Sequence, residues 1–378
     1  MKRELRSEFD IPRDVCYLNA SYMTPQPTRV RKAAERGARQ RAAPWQVHPA
    51  DFFTSVEALR SEFAKLAGCS AGNVAIIPAA SYGIATAANN LRLGADESIL
   101  LLKDQFPSNF YSWQRLAREH GGKLDIVSPV DGESWTEAVM SCLADSNARI
   151  VSIPHHHWAS AEVIDIDVVC ARAHERGTSI VLDLSQTLGA CPVDIAALDP
   201  DFVVTAGYKW LFCPYGLSFI YIADRHLDGV PIEESWANRD GSEDFSRLAT
   251  YTDDYQRGAR RFDVGERASF SNIAGGLEAL RTLNEWGISN VCEMLAGTNR
   301  KIAAIAQECG LEPQPEAARA PHFQCVRVAG HDAKAIAASL SQKNVFVSPR
   351  GDYVRIAPHV YNDEQDLQRL RQALADVS

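Results

Sequence analysis

The sequence contains no long apolar run and no leader-like start. None of its hydrophobic stretches approaches the length of about 20 residues that a membrane-spanning helix needs. Residues 1–8 are rich in charge and no apolar core follows them, so we expect no secretory signal peptide. The balance of hydrophobic and charged residues is ordinary for a soluble globular protein. We therefore expect a cytoplasmic protein without a membrane partner.

Positive charge and paired cysteines are also lacking. The formal net charge of the 378 residues is −9, and a surface of this sign repels nucleic acid and anionic lipid. We therefore expect no nucleic-acid partner. The nine cysteines are scattered and no two form a Cys-x-x-Cys pair, which argues against a zinc site or a thiol–disulfide motif. We interpret them as reduced thiols that pack as small hydrophobic groups.

Three consecutive histidines, His155, His156 and His157, invite a metal interpretation. Neighbouring side chains of an extended segment point to opposite faces, and no acidic residue lies at metal-ligand spacing. We therefore predict no metal site. One of these histidines can instead contact a substrate or transfer a proton, and we select His157 as a substrate contact.

Short apolar segments alternate with helical segments through most of the chain, and the sequence has no internal repeat. The apolar segments are continuous, which is typical of parallel strands covered by helices on both faces. We predict an α/β fold whose mostly parallel sheet is built from right-handed βαβ units. The predicted strands of this sheet are residues 74–77, 98–102, 124–127, 149–153, 179–183, 202–205 and 217–222.

Signals at helix ends and a change of pattern divide the chain further. Thr54 to Glu57 and Ser134 to Glu137 both have the sequence of a capping box. From Phe270 onward, two long helices precede short strands and a last helix, which is typical of a separate α+β domain. We predict an N-terminal arm (1–22), a large domain (23–266) and a smaller C-terminal domain (267–378).

Lys209 and Asp183 are the most informative pair of residues. Asp183 ends one predicted strand and Lys209 closely follows another. Taken alone, each has an ordinary interpretation, as an exposed lysine and as a helix cap. Because parallel strands end at the same rim, where ligands of α/β folds bind, we expect the two side chains to meet. The amine would form a Schiff base with a pyridine aldehyde and the carboxylate would hold the ring nitrogen, so we predict pyridoxal phosphate as the cofactor.

Further residues would complete a site for this cofactor. Gln186 follows Asp183 closely enough to hydrogen-bond the phenolic oxygen of the ring. Ser81 and Tyr82 lie where a helix begins after a strand, and helix N-terminal amides together with the Ser81 hydroxyl favour a phosphate. Phe106 follows another strand and would stack on the ring face.

Arg355 lies on a predicted strand of the small domain, within the run Tyr353 to His359. A planar guanidinium there can hold a substrate carboxylate through two parallel hydrogen bonds. The alternative is an ordinary surface salt bridge.

Together these motifs resemble the class V aminotransferase family. The resemblance rests on Asp183 to Gln186, Gly207 to Trp210, His157 to Ser160, Gly258 to Asp263 and Arg355 to Asn362. It spans nearly the whole chain. It implies pyridoxal phosphate fold type I, an amino acid as the substrate, and a homodimer whose active sites lie at the subunit interface.

Within this family the chain resembles both kynureninases and cysteine desulfurases, and it leans toward the kynureninase-like side. Phe106 resembles their ring-stacking residue, Tyr208 their phosphate-binding tyrosine, and Trp236 the tryptophan that reaches the partner's cofactor phosphate. Desulfurases carry their persulfide cysteine before the arginine motif, where Val347 to Asp352 has none. Cys325 lies in an apolar strand and is expected to belong to the core, so the sequence argues against cysteine desulfurase activity.

Four positions depart from the patterns of the relatives. Kynureninases have an aspartate where Asn109 stands and lack the desulfurase-like Gln186. Ala206 takes the place of a phosphate-binding serine of the desulfurases, and Glu266 that of a phosphate-binding threonine. Because a carboxylate repels phosphate, the contact at Glu266 is in doubt.

The sequence thus favours an enzyme that acts on an amino acid through an external aldimine with pyridoxal phosphate. A side-chain lyase that cleaves a C–C or C–S bond, of the kynureninase-like type, is the first hypothesis. A class V aminotransferase is the alternative. A catalytically silent protein that binds pyridoxal phosphate is a further one, which the complete set of Lys209, Asp183 and Arg355 disfavours.

Overall fold

The computed structural model describes residues 5–328 and 332–375. The helices are α1 (Thr28–Gln40), α2 (Thr54–Ala67), α3 (Ala80–Asn90), α4 (Tyr111–His120), α5 (Trp135–Asp145), α6 (Ile166–Arg176), α7 (Ile195–Leu198), α8 (Phe270–Trp286), α9 (Ile288–Glu308), α10 (Ala333–Gln342) and α11 (Glu364–Ala375). The strands are β1 (Cys16–Tyr17), β2 (Val74–Ile77), β3 (Ser98–Leu102), β4 (Lys123–Val127), β5 (Ala148–Pro154), β6 (Ser179–Asp183), β7 (Phe202–Ala206), β8 (Ser218–Ile222), β9 (Glu312–Pro313), β10 (Gln324–Arg327), β11 (Val345–Phe346), β12 (Ser348–Arg350) and β13 (Tyr353–Ile356).

The central sheet has seven strands in the order β2-β8-β7-β6-β5-β3-β4. Strands β3 to β7 are parallel to their neighbours within that group, whereas β8 is antiparallel to both β2 and β7. All residues of β2, β3, β7 and β8 are buried, because helices cover both faces of the sheet. The edge strand β4 is largely exposed or half-buried. The mostly parallel α/β sheet predicted from the apolar runs is therefore confirmed.

The direction of β8 is a departure from the βαβ pattern. No helix lies between β7 and β8, so the chain returns through a loop that includes Gly207 and Gly216. A Cβ on Gly207 would lie 2.2 Å from the carbonyl oxygen of Leu217, so the return needs glycine there. Strand β8 is buried on both faces like its neighbours, and a continuous apolar run therefore does not reveal its direction.

A second sheet lies in the C-terminal region, with antiparallel strands in the order β12-β13-β10-β9. Its Val354 and Ile356 pack with helix α10 and α11 residues in a separate apolar cluster. The N-terminal segment is tied to this region, because Cys16 and Tyr17 pair in parallel with Val345 and Phe346. The division into three segments given above stays a prediction.

One of the two predicted capping boxes forms. Ser134 accepts a hydrogen bond from the Glu137 N–H, and the Glu137 carboxylate accepts one from the Ser134 N–H. The prediction for Thr54 is wrong, because Phe53 is the N-cap residue of α2 and no side chain caps that helix. Glu57 instead contacts Arg60 and Arg260. The stronger electrostatic attraction of two guanidinium groups accounts for this difference.

No helix within the described ranges is both long and apolar enough to span a bilayer.

Candidate active site

A cavity of about 230 Å³ lies at the carboxyl ends of β5, β6 and β7 and at the start of α3. This is the rim at which the sequence places the ligand of an α/β fold. The cavity lining includes six of the predicted site residues: Ser81, Phe106, Asp183, Gln186, Tyr208 and Lys209.

Lys209 and Asp183 both line this cavity because their strands are neighbours. Asp183 is paired with Pro154 on one side and Val204 on the other, and Lys209 lies three residues beyond the end of β7. The two side chains are 7% and 8% exposed. Burial lowers the pKa of Lys209 to about 8, although the negative charge of Asp183 acts in the opposite direction. Near neutral pH a larger share of this amine is therefore neutral, and so nucleophilic, than of an ordinary lysine.

Hydrogen bonds from backbone N–H groups to side-chain oxygens fix the turn after Asp183. Its Oδ1 accepts a hydrogen bond of 3.0 Å from the Ser185 N–H, and Ser185 Oγ accepts one of 3.0 Å from the Ala206 N–H. These bonds join the ends of β6 and β7. The Asp183 carboxylate consequently has a defined position at the floor of the cavity.

Gln186 is held at both ends of its amide group. Its Oε1 accepts a hydrogen bond of 2.8 Å from the Trp210 indole, and its Nε2 donates one of 2.9 Å to the Ser21 carbonyl. One amide N–H is left over after these two contacts. Because Gln186 lines the cavity, this N–H is available to a ligand there.

Two aromatic side chains form a wall of the cavity. Lys209 Nζ lies 5.3 Å from the centre of the Phe106 ring. The Trp158 ring meets the Phe106 ring edge to face, with centroids 5.4 Å apart at an interplanar angle of 85°. The Trp158 indole donates a hydrogen bond of 2.8 Å to the Asp104 carbonyl. A flat ligand beside Lys209 would therefore meet an apolar wall of fixed orientation.

The start of α3 offers donors to an anion. Its N-cap residue, Ala79, has no side-chain acceptor. Within residues 5–328 and 332–375, no protein acceptor faces the N–H groups of Ala80 and Ser81. Both residues line the cavity. Unpaired amides and the helix dipole together suit a phosphate group.

Tyr208 lines the cavity next to Lys209. The Lys209 Nζ is 6.0 Å from the centre of the Tyr208 ring, which packs against Tyr215 with centroids 4.8 Å apart. Burial, followed by the nearby Tyr215 and Asp183, raises the pKa of the Tyr208 hydroxyl. The phenol therefore stays protonated and can act as a hydrogen-bond donor.

Arg355 approaches from strand β13 of the second sheet. Its side chain is almost fully buried, and Nη1 donates a hydrogen bond of 2.7 Å to the Trp158 carbonyl. Its Nε is buried and has no partner. Trp158 lines the cavity, so the Arg355 guanidinium contacts a lining residue and retains an Nε without a partner.

Besides Arg355, three predicted residues lie outside the lining of the cavity. The His157 ring stacks on Trp135 at 4.8 Å, and its Nε2 is 3.1 Å from the Lys103 carbonyl. The Tyr82 hydroxyl donates to Glu233 at 2.9 Å. Trp236 is 40% exposed and packs against Phe53 with centroids 6.2 Å apart. The structure of one chain thus does not bring His157, Tyr82 or Trp236 to the site.

Two lining residues, His156 and Trp158, are absent from the predicted site. Both follow Pro154, the last residue of β5, at even spacing, and Pro154 itself lines the cavity. Alternation along an extended segment puts residues 154, 156 and 158 on one side. The even spacing from Pro154 can be read from the sequence, and it indicates His156 rather than His157 as the histidine that faces the cavity.

The aminotransferase class-V family matches residues 17–370. The chain belongs to this family. Class V members are enzymes that depend on pyridoxal phosphate, and the cofactor and the enzyme class predicted from Lys209 and Asp183 are therefore confirmed. The particular reaction differs among members of the family.

Relatives of this class V member carry several different names. It is 26% identical to the uncharacterized aminotransferase YcbU of Bacillus subtilis over 82% of this chain and 81% of that protein. It is 30% identical to the kynureninase of Deinococcus radiodurans over 69% of this chain and 63% of that protein. It is 24% identical to a probable cysteine desulfurase of Methanothermobacter thermautotrophicus over 99% and 98% of the two chains.

Solved structures agree on the fold of this class V member. A cysteine desulfurase from Thermococcus onnurineus superimposes with a TM-score of 0.85 at 17% identity, covering 99% of this chain and 97% of that one. A variant of C-DES with glycine covalently linked to its pyridoxal phosphate superimposes with a TM-score of 0.87 at 18% identity, covering 98% and 99%. The prediction of fold type I is confirmed.

Proposed function

We propose that this class V enzyme is a side-chain lyase of the kynureninase-like type, acting on an amino acid. The observation that carries the proposal is the buried Lys209 amine, which shares one cavity with Asp183 and lies 5.3 Å from the Phe106 ring. An aromatic residue at that place is the kynureninase-like feature of the sequence, where desulfurases have a histidine.

The residues of the cavity fit pyridoxal phosphate. Lys209 would hold its aldehyde carbon covalently through Nζ, and Asp183 would accept the ring N–H. The free N–H groups of Ala80 and Ser81 suit its phosphate, because they have no acceptor among the described residues. The remaining Gln186 N–H is available to the phenolic oxygen. When bound, the cofactor withdraws electrons from the substrate α-carbon.

The protein's own groups then supply binding and proton transfer. Arg355 would hold the α-carboxylate through its unpartnered Nε side. The lowered pKa of Lys209 would suit its free amine to accept a proton from the substrate α-carbon and to return it elsewhere. The Phe106 and Trp158 rings would exclude water from one side of the cavity, which strengthens the electrostatic contacts there.

A persulfide mechanism has little support in this chain. Cys325 is fully buried in β10, and its Sγ is 3.0 Å from the Ala159 carbonyl. Burial raises the pKa of this thiol to about 12. Cysteine nucleophiles act as thiolates in partly exposed surroundings, and Cys325 has neither property.

An aminotransferase is the second candidate. It is favoured by the name of the relative from Bacillus subtilis, which matches 82% of this chain. A lyase and an aminotransferase need the same Lys209, Asp183 and Arg355, and they differ in which bond of the substrate breaks. A silent pyridoxal phosphate-binding protein would have no need of the complete set.

The proposal includes a homodimer in which Trp236 serves the partner's site. Trp236 lies outside the cavity of its own chain, yet an aromatic cluster with Phe52, Phe53 and Phe245 fixes it at the surface. Glu266 is also exposed and does not line that cavity. The nine free cysteines support a reducing compartment such as the cytoplasm.

Product analysis distinguishes the two reactions. The enzyme loaded with pyridoxal phosphate is incubated with a panel of amino acids that includes kynurenine, and the products are identified by mass spectrometry. Release of anthranilate, alanine or pyruvate without any keto-acid acceptor supports the lyase. Conversion of the cofactor to pyridoxamine phosphate, with turnover only when a keto acid is added, contradicts the lyase and supports the aminotransferase.

A further inference from the structure

Arg350 is a second guanidinium on the face of the small sheet that carries Arg355. Strands β12 and β13 form a hairpin in which Ser348 is opposite Arg355 and Arg350 is opposite Tyr353. Two residues that lie directly opposite each other on neighbouring strands have their side chains on the same face of the sheet. Residues two positions apart along one strand also share a face. Arg350 and Arg355 are thus diagonal neighbours on one face. Val354, on the other face, belongs to the core of the small domain.

Both guanidiniums lie against Trp158. The Arg350 Cζ is 5.1 Å from the centre of the Trp158 ring, and Arg355 Nη1 donates to the Trp158 carbonyl. Because the Trp158 ring lines the cavity, Arg350 is adjacent to the same space as Arg355. Arg350 Nη1 donates to the Pro349 carbonyl at 2.6 Å, whereas its Nε is buried without a partner.

Neither guanidinium is neutralised by the protein. Among the side chains in residues 5–328 and 332–375, no carboxylate lies within 4.0 Å of Arg350 or Arg355. Arg60 and Arg267, which are about as buried as Arg355, are both ion-paired with Asp263. A half-buried cation without a counter-charge is costly, and such a group is retained where a ligand supplies the charge.

The positive charges of Arg350 and Arg355 can together be neutralised by two anionic groups of one substrate. On the proposed function, the α-carboxylate of an amino acid would neutralise Arg355. Arg350 would then remain uncompensated beside the cavity. Its positive charge also reaches Lys209, where it contributes, after burial and Arg355, to lowering the pKa of the amine.

We propose that Arg350 is a specificity-determining residue, which binds a second anionic group at the end of the substrate side chain. The substrate class is an amino acid with an acidic side chain, of which a carboxylate is the simplest case. The planar guanidinium can bind this group through two parallel hydrogen bonds, using the Nε that now has no partner. This inference rests on the proposed function, because it concerns the substrate of the same site.

The experiment compares acidic amino acids with their uncharged amides. Aspartate, glutamate and 2-aminoadipate are titrated against the pyridoxal phosphate-loaded enzyme, beside asparagine and glutamine, and binding is followed by the change in cofactor absorbance. The wild-type enzyme is expected to bind at least one acid about tenfold or more tightly than its amide. In Arg350→Gln, the affinity for that acid should fall by about tenfold to a hundredfold. The affinity for the amide should change less than about twofold.

Two further variants separate charge from structure. Arg350→Lys keeps the charge and should restore part of the preference for the acid. Arg327→Gln is the matched control, because Arg327 is an exposed arginine of the same sheet whose carboxylate partner is Glu312. It should leave every affinity unchanged.

Several outcomes would overturn the inference. A wild-type enzyme that binds none of the acids more tightly than the amides contradicts it, and so does an equal loss for acid and amide in Arg350→Gln. Borohydride reduction of the wild-type protein loaded with pyridoxal phosphate shows which lysine binds the cofactor. It therefore separates failure of this inference from failure of the proposed function. A label on Lys209 with no role for Arg350 contradicts the inference alone, whereas the absence of a label on Lys209 contradicts both.

Discussion

The indole N–H of Trp210 donates a hydrogen bond of 2.8 Å to Oε1 of Gln186. Trp210 is the residue after Lys209, so the segment that carries the amine also orients the amide predicted to bind the phenolic oxygen. The Trp210 and Gln186 side chains are both buried. With Oε1 held by the indole, the Gln186 Nε2 faces the Ser21 carbonyl, to which it donates a hydrogen bond, and the cavity. The site is therefore preorganised by a contact outside the cavity lining.

Trp210→Phe should weaken binding of pyridoxal phosphate. The replacement leaves the buried Gln186 oxygen without its donor, so the amide is no longer held in one orientation. We expect the affinity to fall by about fivefold to thirtyfold, since an unsatisfied buried group costs about 1–2 kcal/mol. Equilibrium dialysis with the apoprotein measures it. Trp286→Phe is the control, because the Trp286 N–H has no partner. Equal affinities of the two variants would show that this hydrogen bond has no role.

The pH dependence of cofactor capture should report the Lys209–Asp183 pair. The neutral amine attacks the aldehyde, and the pKa of Lys209 is about 8, so the association rate should rise with pH through that value. Asp183 is the group that raises this pKa. Asp183→Asn removes its negative charge, so the pKa should fall and the rising limb should move to lower pH. Stopped-flow absorbance measures the profile, and a shift toward higher pH would be incompatible with the pair.

The family motif from Gly258 to Asp263 contributes to stability. Asp263 is fully buried, its Oδ2 lies 2.7 Å from Arg60 Nη2 and 3.1 Å from Arg267 Nε, and its Oδ1 accepts from the Ile76 N–H at 2.7 Å. Asp263→Asn leaves the buried Arg267 guanidinium without a counter-charge, and it leaves the buried Arg60 with Glu57 as its one carboxylate partner among the described residues. We expect it to lower the free energy of unfolding by about 3–5 kcal/mol. Urea denaturation tests this, with the fully exposed Asp228→Asn as the control, which should change the stability by less than about 0.5 kcal/mol.

Cys325 should be chemically inert in the folded enzyme. Its thiol is fully buried and its pKa is raised by burial, so little thiolate exists to react. Iodoacetamide treatment followed by peptide mass spectrometry should modify the partly exposed Cys309 and leave Cys325 unmodified. Cys325→Ser should also retain turnover. Rapid alkylation of Cys325, or loss of activity in the serine variant, would revive the persulfide mechanism.

The order of strands and helices was predictable because burial imposes continuous apolar runs and caps mark several helix ends. The direction of β8 was not, since a strand buried on both faces has the same composition whichever way it runs. Asp183 and Lys209 were predictable from their strands, because carboxyl ends share a rim. Arg350 was not, because its position depends on the register of a short hairpin in the second sheet.

Trp236 and Glu266 form the other group that sequence alone does not place. Both are exposed and lie outside the cavity of their own chain. In the proposed homodimer, their distance from the partner's cofactor phosphate would be set by how the two subunits pack. The choice between His156 and His157 needs no second chain. Side chains alternate between two sides after Pro154, and this alternation indicates that His156 is the histidine that lines the cavity.

The most direct test of the account is the identity of the lysine that binds the cofactor. The protein is loaded with pyridoxal phosphate, reduced with borohydride, digested and analysed by mass spectrometry, beside Lys209→Ala and the exposed-lysine control Lys103→Ala. The account predicts a label on Lys209 in the wild-type and Lys103→Ala proteins, with no label and no turnover in Lys209→Ala. A label on another lysine, or turnover that survives the loss of Lys209, would contradict it.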